Sequence, residues 1–213
     1  MQVGKFIARR AVVASVAAVA AAFSLTSLTA SAAPAVGQAA PAFKAVDSNG
    51  QSLSLDQYLG KTVVLEWTNH ECPYVKKHYE SSNMQALQKE ATAQGVVWLS
   101  VISSAPGEQG FVKAADANRL SKERGAAPTR VLLDPSGVLG KLYNARTTPH
   151  MFVIDAAGKL VYMGGIDDKP TAAKSDLAKA KNHVRAALGD LTAKRPVATP
   201  VSQPYGCNVK YAS

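Results

Sequence analysis

The chain has 213 residues, with 24 Lys and Arg against 15 Asp and Glu, a formal net charge of +9, and only two cysteines. That length allows one domain with a substantial core. The basic excess is scattered, with neither a Lys/Arg run nor interleaved aromatics, so it reads as solvated surface and excludes the clustered patch by which a nucleic-acid binder is recognised.

Residues 1–32 read as a signal peptide that is removed. Lys5, Arg9 and Arg10 form a basic start, Ala11 to Leu28 an alanine-rich apolar run, and Ala30-Ser31-Ala32 a small-x-small cleavage pattern, with cleavage after Ala32. A retained membrane anchor is the rival, disfavoured by the cleavage-type ending. Loss of the three basic residues lowers the charge from +9 to +6. No later apolar run approaches the length needed to span a bilayer. A periplasmic or secreted location follows as an expectation, with no stable membrane span after cleavage. Disulfides persist there, so an even pair of cysteines points to a bond, structural or catalytic.

The domain is expected over 33–195, with a tail over 196–213. Phe43 to Val46, the Asp47-Ser48-Asn49-Gly50 corner and Ser52-Leu53 predict a short N-terminal hairpin, followed by a helical turn from Leu55 to Leu59 that Gly60 ends. Thr62 to Trp67 is a near-continuous apolar run, the mark of a strand covered on both faces. Cys72 follows a short loop and opens a long helix predicted from Pro73 to about Ala93, with Pro at the first helical position. Val96 to Ile102 predicts a second buried strand, Phe111 to Arg124 a helix, and Val131 to Leu133 a strand closed by Asp134-Pro135-Ser136-Gly137. A short helix through Leu142, strands His150–Ile154 and Leu160–Met163, and an amphipathic helix from Asp176 to Leu188 complete the domain. Pro196, Pro200 and Pro204 make the tail extended and irregular. The fold class is α/β: a central mixed sheet flanked by α-helices.

The chemistry concentrates in Glu66-Trp67-Thr68-Asn69-His70-Glu71-Cys72-Pro73-Tyr74-Val75-Lys76-Lys77. A cysteine at a helix start meets free backbone N–H groups and the positive end of the helix dipole, both of which favour thiolate. Lys76, one turn on, adds positive charge on the same side. An inert core cysteine is the commoner role, but the polar flanks Asn69, His70, Glu71, Lys76 and Lys77 predict an exposed, reactive sulfur. Glu66, an acid inside an apolar strand, is costly to bury ionised, so its pKa is expected to rise. His70, His78 and His150, with Cys72 and Met151, could hold copper, but no tight ligand pair is present and no metal site is assigned.

Strand, loop, Cys72-Pro73-x-x and long helix resemble the thioredoxin fold, and Thr148-Pro149 before the strand at His150 resembles its cis-proline turn. Together with Gly206-Cys207-Asn208-Val209-Lys210-Tyr211, the motif is similar to the peroxiredoxin-like redoxins of the alkyl hydroperoxide reductase/thiol-specific antioxidant (AhpC/TSA) superfamily, over roughly residues 36 to 211. The resemblance implies a thiol-dependent oxidoreductase with Cys72 as nucleophile and Glu66 as proton relay. It further implies that Thr148, Pro149, Pro73, Lys76 and Arg146 line the substrate groove, where the Thr148 backbone pairs with an extended segment.

Cys207 lies 135 residues beyond Cys72, in a tail able to approach and leave, and is the expected resolving thiol. A permanent Cys72–Cys207 staple is the alternative, and would leave a non-catalytic binding module. No organic cofactor is implied, since the cysteines carry the electrons. The expected partners are a disulfide-bearing protein or a peroxide, and a thiol reductant. Two departures bear on peroxide chemistry. Leu65 and Asn69 stand where peroxiredoxins carry Pro and Thr, leaving only Thr68 to supply an orienting hydroxyl. Val75 replaces the second cysteine of Cys-x-x-Cys, so no local disulfide can form.

Overall fold

The structure, a computed structural model, describes residues 1, 2 and 33–212. The expected signal peptide, apart from its first two residues, lies outside the described residues. The domain begins with the hairpin β1 (Lys44–Asp47) and β2 (Ser52–Ser54). Asp47 Oδ1 closes the corner by accepting the N–H groups of Asn49 and Gln51 at 2.9 Å each, and Gly50 takes φ +77°, which costs a glycine nothing.

A 3-10 turn (Leu55–Tyr58) leads to β3 (Val63–Trp67), whose five residues are all buried. Val63, Leu65 and Trp67 enter one core and Val64 the other, the alternation that a period of two imposes. The continuous apolar run therefore reflects a sheet packed on both faces.

The long helix predicted from Pro73 to Ala93 is two helices, α1 (Pro73–Glu80) and α2 (Asn83–Ala93). The break falls at Ser81-Ser82. Ser81 Oγ donates back to the Lys77 carbonyl at 2.6 Å, and Ser82 adopts a left-handed φ of 60°. Serine side chains compete for helical carbonyls in this way. Met84, Leu87 and Ala91 remain buried along α2.

Next come β4 (Val97–Ile102), α3 (Ala114–Glu123), β5 (Arg130–Leu133), α4 (Val138–Leu142), β6 (Thr147–Thr148), β7 (His150–Ile154) and β8 (Leu160–Gly164). Helix α3 starts three residues later than predicted, because Lys113 is still extended. The final helix also departs from its prediction. A 3-10 turn covers Lys174–Lys179, the chain is extended at Ala180, and α5 runs from His183 to Thr192. Asn182 sets that start by accepting the Arg185 N–H at 2.8 Å, a local cap that overrides the apolar periodicity upstream.

Seven strands form one sheet in the order β2-β1-β5-β4-β3-β7-β8. The pairs β3–β4 and β4–β5 are parallel, whereas β3–β7, β7–β8 and β1–β5 are antiparallel. The sheet is mixed and flanked by helices, as expected.

The tail is extended but tethered. Met163 N–H donates to the Pro200 carbonyl at 3.1 Å and Ser202 N–H to the Met163 carbonyl at 3.2 Å. A short strand, β9 (Cys207–Asn208), then pairs antiparallel with β6. Beyond it the Lys210 carbonyl accepts the Ala105 N–H at 2.8 Å, and Tyr211 Oη donates to the Ala145 carbonyl at 2.7 Å.

Candidate active site

Cys72 occupies the N-cap of α1 with extended backbone, and Pro73 is the first helical residue. Its N–H donates to Asn69 O at 3.1 Å and its carbonyl accepts the Lys76 N–H at 2.9 Å. These bonds turn the side chain inward, toward the Thr148-Pro149 turn, whose peptide bond is cis. As a thiol, Cys72 donates to the Thr148 carbonyl at 3.1 Å.

The predicted exposure of this sulfur is not found: Cys72 is 0 % exposed. The polar flanks misled because two of them are themselves buried. Asn69 braces the loop through Glu71 N–H and Gln109 O, and Lys77 points into the protein. The chain's own tail contributes to the cover. Thr148 pairs with Cys207 and Thr147 with Asn208, so the backbone edge expected to receive a substrate strand is occupied by β9.

This pairing sets Cys207 beside the turn that Cys72 faces, close enough for each thiol to shift the other's proton affinity, with both cysteines unbonded. Their proton affinities diverge. Burial pushes the Cys72 thiol up, but hydrogen bonds from the Cys207 side chain, the Val75 and Cys207 backbone and the Thr148 side chain outweigh it, and the net shift is downward. Cys207 is pushed up to about 12, first by burial and then by the neighbouring Cys72 sulfur. One sulfur is biased toward thiolate and the other keeps its proton, as a nucleophile and its proton-bearing partner would.

Glu66 is fully buried on β3. Four donors converge on it: Tyr79 Oη at 2.8 Å on Oε1, and Gln88 Nε2 at 3.0 Å, Trp98 Nε1 at 2.8 Å and Ser100 Oγ at 2.9 Å on Oε2. An arrangement made only of donors suits a carboxylate, which can only accept. Among the described residues no hydrogen bond joins Glu66 to Cys72. Tyr79 instead links it outward, carrying the Arg124 guanidinium 4.0 Å over its ring.

The remaining expected site residues are dispersed. Pro73 is exposed at the helix start. Lys76 lines an open cleft with His70, Tyr79 and Arg124 and is not among the principal influences on Cys72. Arg146 is exposed; its backbone is engaged, with N–H to His150 Nδ1 at 3.3 Å and its carbonyl accepting Val209 N–H at 3.0 Å. Thr68 is buried, and its hydroxyl makes no hydrogen bond among the described residues. His78 and His150 are both committed to protein partners, and no group of three or more His, Cys, Asp or Glu among the described residues could hold a metal ion.

Sequence reasoning missed a buried polar group beside the tail, comprising Lys77, His78, Asp167 and Tyr205. Its one sequence signal is charge at helical positions that periodicity assigns to solvent.

The strand order, the helix opening at Cys72 and the cis turn facing it define a thioredoxin-fold redoxin. The chain belongs to the AhpC/TSA family, whose model matches residues 36–163. It is similar to an uncharacterized conserved protein from Geobacillus kaustophilus, at 24 % identity and a TM-score of 0.69 over 84 % of this chain and 93 % of that one. A hypothetical protein from Sinorhizobium meliloti 1021 is similar at 23 % identity and a TM-score of 0.68, over 85 % and 97 % of the two chains. A protein provisionally named a thiol:disulfide interchange protein, DsbE, from Chlorobium tepidum matches at 24 % identity and a TM-score of 0.50, over 62 % and 85 %. These likenesses speak to fold. No curated protein sequence matches the chain.

Proposed function

We propose that this chain is an exported thiol–disulfide oxidoreductase in which Cys72 is the nucleophile and Cys207 the resolving thiol. The observation that carries the reading is the Cys72–Cys207 pair itself, two unbonded cysteines brought together on Thr148 and with opposite proton preferences. Cys72 thiolate attacks one sulfur of a substrate disulfide and forms a mixed disulfide, releasing the first substrate thiolate, which takes up a proton. Cys207 then loses its proton and attacks Cys72 Sγ. This closes the Cys72–Cys207 bond and expels the second substrate thiol. Substrate is reduced by two electrons and the cysteine pair oxidised by two. A separate thiol reductant restores the pair in the periplasm or outside the cell.

Disulfide exchange is favoured over peroxide reduction by Asn69, which stands three residues before Cys72. Its amide is committed to Glu71 and Gln109, leaving Thr68 as the nearby hydroxyl. The test uses the reduced chain, one equivalent of a peptide disulfide or of hydrogen peroxide, and intact mass. The reading expects rapid loss of two hydrogens per chain with the peptide disulfide and slow reaction with peroxide. Cys207→Ser should accumulate a mixed disulfide on Cys72. A pair that is already bonded on purification and resists mild reductants would instead make it a structural staple. Stoichiometric bound copper would point to metal handling.

A further inference from the structure

Two positions upstream of Cys207 stands Tyr205. Tyr205, 8 % exposed, donates its phenol hydrogen to Asp167 Oδ1 and lies 3.2 Å from His78 Nε2. Its ring sits 5.5 Å from Lys77 Nζ and 5.9 Å edge-to-face from Tyr74.

The socket is built from two places in the fold. Lys77 and His78 belong to α1, the helix that Cys72 opens, while Asp167 follows β8. Lys77 Nζ donates to the Lys169 carbonyl at 2.8 Å and stands 3.9 Å from Asp167 Oδ2. His78 Nε2 is also 3.9 Å from that oxygen, and Lys169 N–H reaches Oδ1 at 2.9 Å. Asp167 and Lys77 have 1 % and 0 % side-chain exposure. Asp167 Oδ2 already has no hydrogen-bond partner among the described residues, so losing the phenol would leave a buried charge still less satisfied. The socket thus favours the seated tail.

Between Tyr205 and the sulfur is Gly206, at φ +132°. A Cβ there would lie 2.0 Å from the Thr148 carbonyl oxygen. The tail therefore descends onto the cis turn by a step that only glycine allows.

We propose that Tyr205 is the positioning residue of the thiol pair: seated on Lys77, His78 and Asp167, it presses Cys207 onto Cys72 and closes the Cys72 sulfur from solvent. When it leaves the socket, β9 lifts from Thr148 and Cys72 becomes open to a substrate strand. When it returns, Cys207 is placed to attack the mixed disulfide. This rests on the proposed function for its meaning, while the closure itself is independent of redox chemistry.

The test takes the full reduced chain with Tyr205→Phe, which keeps the ring and removes the hydroxyl, and with Gly206→Ala, which pushes the tail off the Thr148 carbonyl. Two quantities are measured: the rate at which iodoacetamide alkylates Cys72, resolved from Cys207 by peptide mapping, and the equilibrium of Cys72–Cys207 bond formation against glutathione. Both variants are expected to alkylate Cys72 about tenfold faster and to weaken bond formation by about tenfold, the effect of about 1.4 kcal/mol.

A merely structural tyrosine would lower the melting temperature and leave Cys72 alkylation unchanged in the folded protein; that result overturns the proposal. Should Tyr205→Phe not fold, unchanged alkylation in Gly206→Ala overturns it equally. Should the wild-type chain form no Cys72–Cys207 bond with glutathione disulfide, the proposed function falls, and the alkylation rates still decide the role of Tyr205.

Discussion

Thr148 holds both sulfurs of the thiol pair. Its carbonyl accepts the Cys72 thiol proton at 3.1 Å, and its backbone is the antiparallel partner of Cys207. One residue, in the cis turn, therefore engages both cysteines.

The first expectation concerns proton affinity. Cys72 is held below an ordinary thiol by its hydrogen-bond partners in spite of burial, and Cys207 is raised to about 12. Thiolate absorbance near 240 nm should then rise in two separated steps as pH increases. Cys207→Ser should abolish the upper step. Because the Cys207 side chain is among the groups that lower Cys72, the same variant should move the lower step upward. A single step at the pH of a free thiol would contradict the polarised pair.

Glu66→Gln replaces an acceptor with an amide that must present an N–H₂ to a ring of donors. The cost expected is about 1–3 kcal/mol of stability, read from the urea midpoint. The exchange rate per folded molecule should stay near wild type, since no hydrogen bond connects Glu66 to Cys72 among the described residues. A clearly slower rate in fully folded protein would instead establish the proton relay that the family resemblance implied.

Acid should weaken the fold through two buried imidazoles. Burial, offset in part by Asp167, lowers His78 from its ordinary 6.5 to about 4, and burial lowers His150 to about 3. Between pH 6.5 and those values the unfolded chain binds protons that the folded chain refuses. Stability therefore falls as pH drops through the window, by about 1.4 kcal/mol per pH unit for each histidine. Urea midpoints at pH 7.5, 5.5 and 4.5 check it. A flat profile would mean that the imidazoles take up protons in the fold as readily as in the unfolded chain.

Asn182→Ala removes the side chain that accepts the Arg185 N–H at the start of α5, at an expected cost of about 0.5–2 kcal/mol. Substituting Asp176, where the periodicity placed the helix start, should change stability less, because it is half-buried in a 3-10 turn and its side chain accepts only from the exposed Thr171. Equal losses from the two substitutions would reverse that ranking.

What the sequence disclosed follows from how local its causes are. Strand β3 was legible because five successive buried residues leave an apolar run whatever they pack against, and Cys72-Pro73 because a helix start is a local arrangement. The split at Ser81-Ser82 was hidden because the apolar positions of α2 keep a helical spacing after the break. The start of α5 was missed for a related reason: a single capping side chain outranked a long periodic stretch. The burial of Cys72 was least accessible of all. It goes with a two-residue strand 135 residues further along the chain, beside a Tyr205–Asp167 bond that spans 38 residues, and neither leaves a periodic trace.

The position of β9 has a consequence for how the protein is handled. The surroundings of Cys72 are completed by residues that follow α5 in sequence, so a chain trimmed after α5 would present Cys72 without the Thr148–Cys207 pairing. Clipping of the tail, or a bulky fusion placed after it, should therefore alter the reactivity of a sulfur more than a hundred residues away.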